Sequence, residues 1–296
     1  MAVFDPPVSY PALHRCIYCL TGAGAGDEHI IPFALNGTQV LPKASCEDCG
    51  KVTSYLDGFA CRSVFWQLRV SAGLRTRNAA GVPTEFPIIL TFADGHEERE
   101  LVPAGLHPSL VVLPKFEEPD LLSGRVPDGM FRFSYRQWMR ESDVFDEYKR
   151  RRGAIDAEVE TSIKPQQFCR FLAKIGHAYA TAELGIDGFD PFLLDLIHGR
   201  GLERGPELVG SEIEIPAREE GVLHRLGLST RNDFLVAHIR LFAGSGPTVS
   251  EGTPVYLAVV GRLKKQLRPR VPFHSSALVQ DTNLFAPSSR IVGTSF

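Results

Sequence analysis

Long apolar runs are missing from this sequence. None of its 296 residues lies in an apolar run near the roughly 20 residues that a membrane-spanning helix needs. The N-terminal segment also lacks the basic start and apolar core of a secretory signal. We therefore expect a cytoplasmic protein that has no membrane partner.

A large excess of charge of one sign is missing as well. The net charge is −3 at pH 7, so a nucleic-acid partner would have to be met by a local basic patch. No Gly-rich loop joins a strand to a helix, because "TGAGAG" at 21–26 lies between a cysteine pair and a strand. We therefore expect no nucleotide cofactor. The hydrophobic content of 44% is enough for a substantial core.

Cysteine occurs at six positions, and four of these form two close pairs. "CIYC" and "CEDC" are separated by 26 residues. Each C-x-x-C turn aims two thiolates at one point, and two such turns provide the four sulfurs of a tetrahedral zinc site. The spacing therefore predicts a structural zinc bound by Cys16, Cys19, Cys46 and Cys49. The other two cysteines, Cys61 and Cys169, are expected to be small buried side chains.

The segment between the two pairs has the pattern of a hairpin. "HIIPF" contains the β-branched residues of a strand, and "LNG" is a turn signal. After the second pair, apolar residues recur at helical intervals to about Ala72. The predicted order is cysteine pair, strand, turn, strand, cysteine pair and helix.

With this order of motifs the sequence resembles the HNH endonucleases, specifically the zinc-bound members with a ββα-metal core. The resemblance rests on "CIYC", "DEHIIP" and "PKASCEDC" followed by "TSYLDGFACR", and it covers residues 14–77. It implies hydrolysis of a phosphodiester bond, in DNA more than in RNA. It also implies a catalytic Mg²⁺ or Mn²⁺ in addition to the zinc.

The resemblance implies a role for each residue of "DEH". His29 would deprotonate water as the general base, a task suited to a side chain whose ordinary pKa is about 6.5. Glu28 would bind the divalent cation, because hard cations prefer oxygen ligands. Strand alternation places Asp27 on the same face as His29, so that it would orient the imidazole or share the metal.

One position departs from the family pattern. Family members have Asn or His directly after the last cysteine as a second metal ligand, and this sequence has Gly50. Asp57 is a carboxylate on the same helix, but about 10 Å further along it, which argues against direct replacement. The alternative is therefore a catalytically impaired, zinc-bound protein that binds nucleic acid or acts as a scaffold.

Positive charge is concentrated after the second cysteine pair. Residues 58–84 contain four arginines and no acid, so these side chains are candidates for contacts with a phosphate backbone. The four are Arg62, Arg69, Arg75 and Arg77. Two further basic clusters, 149–152 and 262–270, are either solvated faces or additional contacts with a polyanion.

The remaining chain predicts an α+β protein. The N-terminal HNH-like module would be followed by an antiparallel β region and a C-terminal α+β domain, with boundaries at 1–80, 81–145 and 146–296. "EFPIILTF", "ADG" and "EERELVPA" predict a β-hairpin. A helix is expected from Pro165 to Gly185. On it Arg170, Lys174 and His177 form a row that could face a phosphate, but that we interpret as a solvated face. The oligomeric state stays open.

Overall fold

In the described part of the chain, helices are mixed with sheets that are antiparallel except for one short parallel pair, which confirms the α+β class. No helix among the described residues has the length and apolar character to cross a membrane. The computed structural model describes residues 3–4, 8–77, 82–140, 142–159, 163–264 and 274–279.

Helices and strands are numbered here in chain order. The strands are β1 (Val3–Phe4), β2 (Val8–Ser9), β3 (Gly26–His29), β4 (Gln39–Ser45), β5 (Glu85–Phe92), β6 (Glu97–Pro103), β7 (Ser109–Phe116), β8 (Phe133–Arg140), β9 (Ala154–Val159), β10 (Phe189–Pro191), β11 (Val209–Ser211), β12 (Val222–Arg231), β13 (Phe234–Leu241), β14 (Val255–Leu263) and β15 (His274–Val279). The α-helices are α1 (Glu47–Phe59), α2 (Trp66–Ser71), α3 (Asp120–Ser123), α4 (Asp143–Arg152), α5 (Pro165–Leu184), α6 (Leu194–Ile197) and α7 (Gly205–Leu208).

The N-terminal segment folds as a hairpin followed by a helix. β3 and β4 pair in antiparallel fashion, with a bulge between Gly26 and Glu28, and α1 begins two residues after β4 ends. β3 ends at His29, earlier than "HIIPF" predicts, and Phe33–Leu35 forms a 3-10 turn instead. Asn36 closes that turn with φ 62°, as the turn signal predicted.

The second cysteine pair lies at the start of α1. Cys46 is the N-cap, and two acids, Glu47 and Asp48, occupy the first turn, where the helix dipole favours negative charge. A π-helical stretch at Ala60–Val64 separates α1 from α2. The helical segment expected up to about Ala72 therefore ends where predicted, but it is interrupted.

A seven-stranded sheet forms the other side of the molecule. Its strand order is β1-β15-β12-β13-β14-β10, and β11 pairs with β14. α5 packs on β13 and β14. The approach is close at Gly176, where an added Cβ would lie 2.9 Å from the Cβ of Ala258, too near for an ordinary contact.

The helix α5 lies in a hydrophobic core shared by all three predicted regions. Buried residues in this core include Leu56, Leu113, Phe168 and Tyr256. A second, smaller core is formed around Phe145, between β5, β6 and β9. This second core spans the predicted boundary at residue 145.

Candidate functional site

Four cysteine sulfurs converge at the junction of the hairpin and α1. They lie within 4.8 Å of one another, and Cys19 Sγ is 3.9 Å from Cys46 Sγ. Ligands about 2.3 Å from a tetrahedral ion are about 3.8 Å apart, whereas a disulfide needs about 2.05 Å between its sulfurs. All six cysteines are free thiols. The cluster formed by Cys16, Cys19, Cys46 and Cys49 therefore fits a structural metal such as zinc.

Local backbone geometry positions these sulfurs. The N–H of Gly22 donates to Cys19 Sγ at 3.3 Å, and the N–H of Leu20 donates to the carbonyl of Cys16 at 3.0 Å. A Cβ at Gly22 would lie 3.2 Å from Cys19 Sγ, so the turn has little space for a side chain. Cys46 is the N-cap of α1 and Cys49 lies in its first turn, so the start of the helix fixes the positions of both sulfurs.

A histidine from the C-terminal region lies beside this cluster. His198 follows α6, and its Nε2 is 3.9 Å from Cys49 Sγ and 3.4 Å from the carbonyl oxygen of Tyr18. No sequence pattern predicted this contact, because it depends on how α6 packs against the first cysteine turn.

His29 lies at the end of β3 and is half-buried. Its ring packs edge-on against Phe33, with 6.0 Å between the ring centroids. Burial, together with the positive charges of Arg77 and Lys174, lowers the pKa of His29. The imidazole is therefore neutral near pH 7 and can accept a proton.

Asp27 is exposed, while Glu28 next to it is buried, as strand alternation predicts. Asp27 Oδ1 accepts the N–H of Lys43 at 3.1 Å across the bulge of the hairpin. This bond fixes the carboxylate to the neighbouring strand. Its influence on His29 is electrostatic, because the negative charge of Asp27 opposes the lowering of the pKa of His29.

Both oxygens of Glu28 already have partners. Oε1 lies 2.7 Å from Lys174 Nζ, and Oε2 accepts a hydrogen bond of 3.2 Å from Thr53 Oγ1. The Glu28 side chain is only 5% exposed and the Lys174 side chain is 0% exposed. A buried ion pair of this kind joins β3 to α5.

Asp57 shares the same ammonium group. Its Oδ1 is 3.1 Å from Lys174 Nζ, although the carboxylate also borders the pocket and its side chain is 25% exposed. Burial and the nearby charge of Glu28 raise the pKa of Asp57 to about 6, while Lys174 opposes this shift. Asp57 and Glu28 therefore lie against the same ammonium group, which α5 supplies. They are close together in space although Asp57 is far from Gly50 along α1.

The row of polar residues on α5 is not a solvated face, so this interpretation was wrong. Arg170, Lys174 and His177 are all buried. Lys174 donates to the carbonyl of His29 at 2.5 Å, and His177 Nε2 lies 2.7 Å from the carbonyl oxygen of Ile17. Lys174 and His177 thus bind backbone carbonyls of the N-terminal segment. Arg170 instead donates to the carbonyls of Leu196 and Ile197 on α6.

The side chains around His29 line a cavity of about 880 Å³. Asp57, Arg62 and Arg77 face the same cavity, and the last two are exposed. The guanidinium of Arg77 lies 5.1 Å from the centroid of the Phe33 ring, on which His29 also packs. The cavity therefore combines a neutral base with cationic side chains.

The four predicted arginines differ in their surroundings. Arg69 borders the cavity, but its guanidinium donates to the carbonyls of Ala34, Cys61 and Arg75. The guanidinium of Arg75 lies 5.5 Å from the Phe33 ring centroid, and the backbone N–H of Arg75 donates to Asn36 Oδ1 at 2.9 Å. Arg69 thus holds the backbone around the cavity, whereas Arg62 and Arg77 present their charge to it.

The basic cluster at 149–152 is paired with acids on its own surface. Its four cations lie within salt-bridge distance of Asp146, Glu147 and Glu98. These pairs make it a solvated face of α4 more than a polyanion contact. In the second cluster, 262–270, the residues from 265 onward lie outside the described residues.

No family model, no curated protein and no solved structure matches this chain.

Proposed function

We propose that the pocket around His29 binds a segment of nucleic acid and hydrolyses one of its phosphodiester bonds. The observation that carries this proposal is that the imidazole of His29 opens into the same cavity as Arg62 and Arg77. Hydrolysis of a phosphodiester needs a neutral base for water and positive charge for the phosphate. The resemblance over residues 14–77 supports DNA as the substrate in preference to RNA.

In the proposed reaction, His29 accepts a proton from the attacking water. Its lowered pKa supports this role, because a general base must be unprotonated when the substrate binds. The water oxygen bonds to phosphorus, the bond from phosphorus to the departing ester oxygen breaks, and that oxygen takes up a proton from solvent. Arg62 and Arg77 would offset the charge of the phosphate, since guanidinium groups pair well with phosphate oxygens.

We also propose that the four-cysteine cluster binds one zinc ion with a structural role. Four thiolates complete the tetrahedral coordination of zinc, so no position is left for a substrate or a reactive water. The ion would fasten the first cysteine turn to the start of α1. It would thereby keep β3, and His29 with it, next to Asp57.

The resemblance implies a catalytic Mg²⁺ or Mn²⁺ at Glu28, but the surrounding residues do not fit this ion. A divalent cation needs free carboxylate oxygens, and those of Glu28 lie against Lys174 and Thr53. No step of the proposed reaction therefore passes through a divalent cation.

The second candidate function is binding of nucleic acid without hydrolysis. Two observations favour it. Gly50 lacks a side chain at the position of a family metal ligand, and Lys174 neutralises Glu28. In this case the arginines and the zinc-bound hairpin would keep a recognition role only.

The two candidates are separated by assaying the zinc-loaded protein on supercoiled plasmid, linear DNA and structured RNA. Cleavage is measured on gels, and binding is measured by fluorescence anisotropy. We expect His29→Ala to lower the cleavage rate by a factor of about 10² or more while binding persists, because a general base contributes at least that much. His96→Ala is the matched control, since His96 is exposed on the turn between β5 and β6.

The possible outcomes distinguish the two candidate functions. Cleavage by the wild type that His29→Ala abolishes supports hydrolysis. Binding without cleavage of any substrate, with or without Mg²⁺ or Mn²⁺, supports the second candidate. Absence of both binding and cleavage overturns the proposed function.

A further inference from the structure

We propose that the ammonium of Lys174 takes the place of a divalent cation in this pocket, so that Glu28 and Asp57 hold a lysine and no Mg²⁺ or Mn²⁺. The role that this inference assigns to the pocket rests on the proposed function. The occupancy of the carboxylates, however, is measured by metal binding, which does not depend on any cleavage assay.

The first support is the complete coordination of the ammonium. Lys174 Nζ lies 2.7 Å from Glu28 Oε1, 3.1 Å from Asp57 Oδ1 and 2.5 Å from the carbonyl oxygen of His29. Two further oxygens, Asp57 Oδ2 at 3.3 Å and the carbonyl oxygen of Ile30 at 3.4 Å, also lie within reach, so all three N–H donors of the ammonium have acceptors. The site is thus built around a point charge at the position between the two carboxylates.

The second support is the balance of charge. Burying a charge is costly unless it is paired, and Lys174 is fully buried. Burial opposes its charge, but Asp57 and Glu28 outweigh this effect and raise the pKa of Lys174. The lysine therefore remains a cation, and a second cation beside it would be repelled.

The third support is the geometry that a metal would need. Mg²⁺ binds about six oxygens at about 2.0–2.1 Å and keeps several of them as water. Glu28 is buried, its second oxygen is hydrogen-bonded to Thr53, and the lysine chain fills the space beside the first. A metal could bind between Glu28 and Asp57 only after Lys174 had left, because its Nζ lies against both carboxylates.

Lys174 would act through other groups, because its buried ammonium cannot touch a substrate. Its bond to the carbonyl of His29 fixes the end of β3, from which the imidazole projects. It is therefore a positioning residue, and its charge also favours the neutral form of His29. The phosphate itself would be left to the exposed arginines.

The test is a titration of zinc-loaded protein with Mn²⁺, followed by calorimetry and by electron paramagnetic resonance. We expect no Mn²⁺ site in the wild type at millimolar concentrations. We expect one site in Lys174→Ala, which frees two carboxylates in one place, and loss of that site when Glu28→Gln is added. Lys51→Ala is the control, because it frees Glu47 and Asp48 on the exposed surface of α1, where no bound Mn²⁺ is expected.

If Lys174→Ala fails to fold, the Mn²⁺ titration of the wild type still tests the proposal. A wild-type Mn²⁺ site that Glu28→Gln abolishes overturns the proposal. A folded Lys174→Ala protein that takes up no Mn²⁺ overturns it as well. If the wild type cleaves nucleic acid, the rate in buffer cleared of free divalent cations by a chelating resin should change by no more than about twofold on addition of Mg²⁺. A strict requirement for added Mg²⁺ contradicts the proposal.

Discussion

His224 on β12 donates a hydrogen bond of 2.7 Å from Nε2 to the carbonyl oxygen of Leu35 in the N-terminal segment. Its other ring nitrogen, Nδ1, accepts the N–H of Phe242 at 3.3 Å. Both nitrogens are thus satisfied only in the neutral ring, and the ring is fully buried. Protonation would break the second bond and place an unpaired charge in the core.

Stability should consequently fall in mild acid. Burial lowers the pKa of His224 from 6.5 to about 4, so between these values the unfolded chain binds a proton that the folded protein does not. The free energy of unfolding therefore decreases as the pH falls from 6.5 to 4, by up to about 1.4 kcal/mol per pH unit from this residue. Denaturant unfolding across this range measures the slope. His224→Gln, which cannot titrate, should make the slope shallower by its own share, while His177, whose pKa burial also lowers to about 4, should maintain the rest; an unchanged slope would show that His224 is not responsible.

Removal of the four-cysteine site should unfold the N-terminal segment. The purified protein is expected to hold about one equivalent of zinc, and Cys46→Ser should hold far less, because structural zinc contributes roughly 10 kcal/mol or more in small zinc domains. Since the N-terminal segment shares its core with the large sheet, the melting temperature of the whole protein should fall. Zinc analysis and thermal melting measure both effects. Cys169→Ala, a buried cysteine outside the cluster, is the control that should keep its zinc.

Arg62 should contribute to affinity and little to stability. It is exposed at the edge of the cavity, so Arg62→Ala should weaken DNA binding uniformly across sequences. The slope of the logarithm of affinity against the logarithm of salt concentration should decrease by about 1, as expected for one lost phosphate contact. Arg151→Ala on α4 is a matched control, because it also removes an exposed arginine, but one that does not line the cavity. Equal losses in both variants would indicate a nonspecific effect of net charge.

Arg69 should behave in the opposite way. Its guanidinium donates to three backbone carbonyls, and a lysine cannot reproduce that fork. We expect Arg69→Lys to lower the free energy of unfolding by about 2 kcal/mol, the range for lost hydrogen bonds to a charged group. Chemical denaturation measures this change. A stable Arg69→Lys protein with weak DNA binding would instead assign Arg69 to the substrate.

If the protein hydrolyses nucleic acid, its pH profile should report His29. Burial, Arg77 and Lys174 lower the pKa of His29, so the rate should rise with pH through a midpoint below 6.5 and level off above it. Lys174→Met removes a positive charge beside the ring and leaves two carboxylates unpaired. Its midpoint should therefore move to higher pH. A midpoint that stays in place would show that the ring does not sense Lys174.

Local spacing was sufficient to predict the cysteine cluster and much of the secondary structure. Two C-x-x-C turns converge as expected, "ADG" joins β5 to β6, and α5 runs from Pro165 to Leu184. These features depend on residues that are close in the chain, so their patterns are visible in the sequence.

The residues that contact the carboxylates of the pocket could not be predicted from local sequence patterns. Lys174 meets Glu28 only because α5 packs between the hairpin and the sheet, and no local pattern encodes that contact. A row of three polar residues on a helix looks the same whether it faces water or buried carbonyls. The same limit applies to Asp57, whose distance from Gly50 along α1 gave no indication of its shared ion pair.

The absence of one methyl group at Gly176 has a consequence for mutational tolerance. An added Cβ there would push α5 away from Ala258 and Ala237, and the shift would be transmitted one half-turn along the helix to Lys174. A random-substitution screen scored for folded protein should therefore tolerate few replacements at this glycine. The geometry of the pocket thus depends on a residue that does not line it.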